Sequence, residues 1–345
     1  MTQPVHTVYG GAHLFRADTA HKLGRIALRA MDEHRSALPP VSDDVLDRVR
    51  KKLTREPVED LRIDFEDGYG VRSAADETTH AVDAANHIKA GRENGTLPRM
   101  LGIRIKSFAP ATRHRAIHTL RAFFAALPDP PPHFTVTLPK VTFEEEVASL
   151  IDTLNGITHS HLPIELMIET PHALRNLPTS LHAAQGRCRG AHFGPYDFTS
   201  ACGLLSASQG LRHPLCTHAR NEMLIHLSGT GVWLSDGPTS TLPVGATHDI
   251  SHAWKTQWDD IQHSLNTGFY QGWDLHPAQL PIRYAAVYTY FAAHLPAARA
   301  RLDNFESQRL QATRVGTAFD DAATVLGLRA FLDRAAACGA VDSQG

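Results

Sequence analysis

Apolar and polar residues alternate in short runs along the whole chain, a period of two that predicts strands. In 61–66 (LRIDFE), Leu61, Ile63 and Phe65 fall on one side and Arg62, Asp64 and Glu66 on the other. In 101–106, Leu101, Ile103 and Ile105 oppose Gly102, Arg104 and Lys106. In 163–169, Ile164, Leu166 and Ile168 oppose Glu165, Met167 and Glu169. Further short runs at 9–15, 134–138, 190–194, 231–235 and 271–275 complete a set of eight. Between them lie helix signals. Asp18 precedes a helix over 19–35, and Ser73 precedes one over 74–90 that Gly91 would stop. Thr142 and Glu145 have capping-box spacing ahead of 147–154. Other helices fit 111–126, 214–228, 249–266 and 278–294.

Eight strands separated by helices predict an α/β fold, a closed (β/α)8 barrel over 1–294, with an open doubly wound sheet as the rival. A helical extension over 295–345 would serve as a lid or an oligomer contact. Parallel strands covered by helices usually read as continuous apolar runs, which these do not. Helices can cover only the apolar sides, so the charged sides face the barrel axis and must find partners there. Arg62 and Glu165 fit an ion pair in the barrel floor. An antiparallel sheet with one wet face is the competing explanation, and the intervening helices weigh against it.

Composition narrows the picture. At 345 residues, 42% hydrophobic and 20% charged, the chain has ample material for one large core. A formal charge of -2 gives no general attraction to nucleic acid or anionic lipid. No apolar stretch approaches a membrane span, and the opening residues lack a signal-peptide pattern. Cys188, Cys202, Cys216 and Cys338 show neither CxxC spacing nor a disulfide framework. The expectation is a cytoplasmic protein with reduced thiols, without nucleic-acid or membrane partners.

In a barrel the working groups sit at the C-terminal strand ends. Those ends carry Glu66 and Asp67, Arg104, Lys140, Glu169, Asp197, Asp236 and His276. Carboxylates, two cations and an imidazole around one rim suit Mg²⁺ or Mn²⁺ and a small oxyacid whose carboxylate pairs bidentately with the arginine. No His or Cys at ligand spacing favours zinc. His13, near the end of strand 1, is a candidate for acid–base work.

Seven patches, "RIDFEDGYG", "GIRIKSF", "TLPKV", "ELMIETPHAL", "HFGPYDFTSACG", "LSDGP" and "GWDLHPAQ", stand in one order over 61–279. In that order the chain resembles the HpcH/HpaI aldolase, citrate lyase β-subunit and malyl-CoA lyase superfamily. The resemblance implies a barrel of the phosphoenolpyruvate/pyruvate-domain type that makes or breaks carbon–carbon bonds through an enolate steadied by a divalent ion. It implies that Glu169 and Asp197 are the metal ligands and that Arg104 binds the substrate carboxylate. Glu66 and Asp67 match acids that hold metal-associated water, with Lys140 balancing them. Gly194, Pro195 and Asp236 fall where substrate binds, and His276 and Gln279 match a patch near the closing strand. The family's trimers and hexamers imply a homo-oligomer, in which Asp320 or Asp321 could serve a neighbour's site.

The chain departs from the family's CoA-handling members. Its opening, "GGAHLFRADTAHKL", lacks their leading arginine and Pro-Gly; Ile105-Lys106 follows Arg104; and 170–189 is long. The leading expectation is therefore a Mg²⁺-dependent carbon–carbon lyase or aldolase acting on a small 2-oxo or hydroxy acid. The same chemistry on a CoA thioester is the alternative. Phosphoenolpyruvate-dependent phosphotransfer and a non-catalytic binding barrel are more distant ones.

Overall fold

The alternation of the strands is resolved by closure. In the computed structural model, which describes residues 2–307, 313–315, 318–320 and 322–341, eight parallel strands pair in sequence order and the first pairs with the last. The chain runs β1 (His6–Gly11), α1 (Thr19–Glu33), α2 (Asp43–Arg55), β2 (Asp60–Asp64), α3 (Ala74–Asn94) and β3 (Met100–Arg104). It continues through α4 (Arg113–Ala126), β4 (Thr135–Leu138), α5 (Glu144–Ile157), β5 (Ile164–Ile168), α6 (Pro171–Arg175) and α7 (Leu177–Ala183). Then come β6 (Cys188–Phe193), α8 (Pro195–Ala201), α9 (Pro214–Leu227), β7 (Trp233–Pro238), α10 (Thr247–Asn266) and β8 (Gln271–Asp274). The extension comprises α11 (Leu280–Ser307), a short hairpin β9 (Thr313–Val315) and β10 (Ala318–Asp320), and α12 (Ala322–Ala337). Helix α11 passes through residues 294 and 295 without a break. Asp321 lies outside the described residues, and Asp320 is described only as backbone of β10.

Apolar strand positions such as Ile63, Ile103, Val136, Leu166 and Ile168 are buried in the core cluster shared with the helices. Their charged alternates are buried too. In the floor, Arg62 meets Glu165 at 2.7 Å and also pairs with Asp60, while His192 meets Glu165 at 3.1 Å and Thr7 donates to Asp60 at 2.9 Å. This is the ion pairing expected of Arg62 and Glu165.

Several element boundaries differ from expectation for identifiable reasons. Strand β1 starts at His6 and ends before a 3₁₀ turn at Ala12–Leu14, because His6 and Thr7 spend their polar groups on Asp274 and Asp60 inside the barrel. Helix α3 runs past Gly91, where a side chain would collide with Leu97, and stops at Gly95, whose φ of 65° gives the left-handed cap. The capping carboxylate ahead of α5 is Glu146, not Glu145: it accepts from the Thr142 and Phe143 amides at 2.7 and 3.3 Å. Helix α2 was not anticipated, although Ser42 caps it and Val45, Val49 and Leu53 form its buried stripe.

Among the described residues no helix is long and apolar enough to cross a membrane. All four cysteines are free.

Candidate functional site

Arg104 ends β3 with its guanidinium in the barrel mouth, only 4% exposed. Its side-on edge is spent on Asp64, with Nε donating to Oδ1 at 2.7 Å and Nη2 to Oδ2 at 2.5 Å. Asp64 also accepts from the amides of Glu66 and Gly68, which shapes the turn after β2. One bidentate edge of the guanidinium is therefore already occupied. What remains for an incoming carboxylate is the end-on edge through Nη1, which lies 3.5 Å from Glu66 and 3.6 Å from Asp67. Beneath it the Tyr9 ring lies 4.8 Å from the guanidinium carbon, a cation–π contact that fixes the plane of the fork. Burial alone would lower the Arg104 pKa, yet Asp64 and Glu66 hold it well above the ordinary arginine value.

Lys140 ties the next two strands together. Its backbone has φ of 51°, a left-handed conformation that costs a lysine about 1 kcal/mol. In that conformation its amide donates to Glu169 Oε1 at 2.6 Å. Its ammonium reaches Glu66 at 2.5 Å and Asp67 at 2.8 Å. Burial works against the ammonium, but these two acids keep it firmly protonated.

Glu169 follows β5 and is 2% exposed. Gly194 makes room for it: a Cβ there would lie 2.4 Å from the Glu169 Cβ and 2.7 Å from Oε2. Pro195 opens α8 and packs against Gly237 of β7, which seats Asp197 in the first helical turn. Asp197 is exposed and makes no hydrogen bond or ion pair to any described residue. Burial pushes Glu169 up to about 8, with Arg104 opposing and the Asp197 charge adding. Glu66 is pushed up to about 7, by burial first and by its link to Asp67, against the pull of Arg104 and Lys140. Asp67 is held below its usual value despite partial burial, by its hydrogen bonds to Glu66 and Lys140.

The structure thus gathers Glu66, Asp67, Arg104, Lys140, Glu169 and Asp197 on one rim, with Gly194 and Pro195 as backing. It does not bring Asp236 there. That carboxylate, 1% exposed, accepts from Arg220 of α9 at 2.7 Å, from Ser264 of α10 at 2.6 Å and from the Gly237 amide at 2.9 Å. The residue before it, Ser235, is in register with His192 of the barrel interior, so alternation turns Asp236 to the outer helices. His276 and Gln279 are also committed: His276 accepts from the Ala278 amide, and Gln279 bridges the Leu275 and His276 amides to the Thr239 carbonyl. His13 packs edge-on to Tyr69 at 5.7 Å beside the turn after β2, and burial, Arg72 and His80 keep it below the ordinary histidine value. Sequence reasoning missed Asp64 and Tyr9 as parts of the site.

Does this donor set fit a divalent ion? No group of three or more His, Cys, Asp or Glu among the described residues is arranged to hold a metal. Two carboxylates, Glu169 and Asp197, are what the rim offers, and hard oxygen donors in that number suit Mg²⁺, which keeps several waters. The charges support the fit: among the described residues Asp64, Glu66, Asp67, Glu169 and Asp197 share Arg104 and Lys140 as cations.

Comparison with solved structures places the fold. A citrate lyase from Burkholderia xenovorans LB400 superposes with a TM-score of 0.64 at 22% identity, covering 98% of this chain and 92% of that one. CitE from Mycobacterium tuberculosis, solved with magnesium, acetoacetate and coenzyme A, gives 0.61 at 17%, with 97% and 98% covered. The M. tuberculosis citrate lyase β-subunit, solved with oxaloacetate and magnesium, gives 0.51 at 16%, with 82% and 96% covered. At these identities the likeness establishes the shared barrel. No curated protein matches the chain. The family model described as Domain of unknown function (DUF6986) matches residues 1–345, and the protein belongs to that family.

Proposed function

We propose that the protein is a divalent-metal-dependent carbon–carbon lyase or aldolase acting through a pyruvate- or oxaloacetate-type enolate of a small 2-oxo or hydroxy acid. The observation that carries this reading is the crowding of acids at the rim: five carboxyl groups beside two cations, with burial and the Asp197 charge making Glu169 hold a proton that an ion could replace. Glu169 and Asp197 would hold Mg²⁺ or Mn²⁺, which when bound supplies positive charge where enolate charge develops. Arg104 receives the substrate carboxylate end-on, its plane set by Asp64 and Tyr9. Lys140 keeps Glu169 aimed through its amide and holds Glu66 and Asp67 through its ammonium. The ligands of the M. tuberculosis structures, magnesium with oxaloacetate or acetoacetate, support the same chemistry.

The coenzyme A in one of those structures favours a second reading, cleavage of an acyl-CoA such as malyl- or citramalyl-CoA. The exposed Leu14 and Val71, on the turns after β1 and β2, support a homo-oligomer that covers this side of the mouth. The test is release of pyruvate from 4-hydroxy-2-oxoacids and citramalyl-CoA, and of glyoxylate from malyl-CoA, with and without Mg²⁺. Metal-dependent release from the free acids supports the first reading, and release from thioesters alone supports the second. Release that ignores chelation overturns both.

A further inference from the structure

We propose that Glu66 is the proton carrier of this site, taking a proton from the substrate and returning one to the enolate carbon; this rests on the enolate reading above. The geometry reaches it by elimination. Each oxygen of Asp64 already accepts two hydrogen bonds, one from Arg104 and one from the Glu66 or Gly68 amide, whereas each Glu66 oxygen accepts one. Glu169 and Asp197 are assigned to the ion. Asp67 is 55% exposed at the outer edge, where water competes for it. Lys140 and Arg104 stay charged among these acids. His13 lies on the Tyr69 side of the turn after β2, where its Nδ1 is buried without a partner.

Glu66 alone combines enclosure with access to the reacting end of Arg104. Its side chain is 12% exposed, Oε1 is on the Lys140 ammonium at 2.5 Å, and Oε2 accepts from the Asp67 amide at 2.9 Å. Oε2 is also 3.5 Å from Arg104 Nη1, the nitrogen left for a substrate carboxylate. The charged groups facing it are Arg104 from β3, Lys140 from beyond β4, and Asp67 on its own turn. Their balance with burial puts the carboxyl near 7, where it can both accept and donate at neutral pH.

For a 4-hydroxy-2-oxoacid the step balances without another reagent. The Glu66 carboxylate takes the C4 hydroxyl proton, and the O–H pair becomes the aldehyde C=O bond. The C3–C4 pair moves into the C2–C3 enolate. Glu66 then returns its proton to C3, giving the methyl group of pyruvate.

The test is deuterium exchange into the pyruvate methyl group, followed by proton NMR of the full chain in D₂O with Mg²⁺. The wild type should exchange, and Glu66→Gln should slow exchange at least about a hundredfold while Mg²⁺ affinity by calorimetry is unchanged. A wild type that does not exchange overturns the enolate reading and this assignment with it. Exchange that persists in Glu66→Gln within a few-fold, or is lost only together with Mg²⁺ affinity, overturns the assignment alone. Lys140→Gln keeps Glu66 but removes a charge that stabilises its carboxylate. The rise of exchange rate with pH should then move to higher pH, and an unmoved midpoint also overturns the assignment.

Discussion

The floor and the rim of the barrel are built from the same residue types and behave oppositely. In the floor, Arg62, Asp60 and Glu165 close on themselves: every carboxylate oxygen has a donor from Arg62, Thr7, Thr137 or His192. At the rim, Arg104 and Lys140 are spread over Asp64, Glu66, Asp67 and Glu169, and Asp197 has no side-chain donor among the described residues. Burial is similar for Arg62 and Arg104, so depth does not separate structural charges from functional ones. Completeness of pairing does. A satisfied network holds the barrel closed, and an unsatisfied one invites an ion.

That contrast breaks first at Arg62. Arg62→Met should destabilise the fold by about 3–5 kcal/mol, because it leaves two buried acids without their cation. Urea unfolding measures this. Mg²⁺ should raise the melting temperature of the wild type; Glu169→Gln, equally buried, should leave stability within about 1 kcal/mol of wild type and abolish that rise. If Arg62→Met is benign, or if Glu169→Gln keeps the full Mg²⁺ shift, pairing does not distinguish the two regions.

A smaller effect follows from pH. Glu169 near 8 and Glu66 near 7 both lie above the unfolded glutamate value of about 4.3. Over that interval the native state holds protons that the unfolded chain has released, so metal-free stability should fall as pH rises from about 4.5 towards 8. On the proposed ligation Mg²⁺ would replace those protons, so its stabilising shift should grow over the same range. Melting curves with Mg²⁺ or with chelator, taken across that window, read both slopes. A Mg²⁺ shift independent of pH contradicts the pairing of Glu169 with the ion.

How much of this was legible beforehand depends on what alternation encodes. Period two names the face of a strand, so the inward charges and the strand-end positions of Arg104 and Glu169 could be read directly. It does not encode depth along the axis or which inward charges meet, so the pairing of Arg104 with Asp64 could not be read from it. Asp236 was misplaced because a strand-end position does not by itself name the face: Ser235 is in register with the inward His192, so the next side chain turns outward. Helix α2 was legible in principle from Ser42 and the Val45, Val49 and Leu53 spacing, but its density of charge masked the stripe. Tyr9 was hidden for another reason: an aromatic residue in a first strand reads as ordinary core.

Tyr9 joins the two regions and gives the finest test. Its ring supports Arg104 at the rim, while its hydroxyl is buried with no hydrogen-bond partner among the described residues, at the level where the ring meets His192 edge-on at 6.5 Å. An unpartnered buried hydroxyl costs about 1–3 kcal/mol of desolvation. Tyr9→Phe deletes that cost and keeps the aromatic face, so stability should rise by about 1 kcal/mol with oxyacid affinity unchanged. Tyr9→Leu keeps bulk but loses the face, and should weaken oxyacid binding a few-fold by freeing the Arg104 plane. If Tyr9→Phe instead lowers stability, the hydroxyl is satisfied by water in the floor, and the unsatisfied part of the interior is confined to the rim acids.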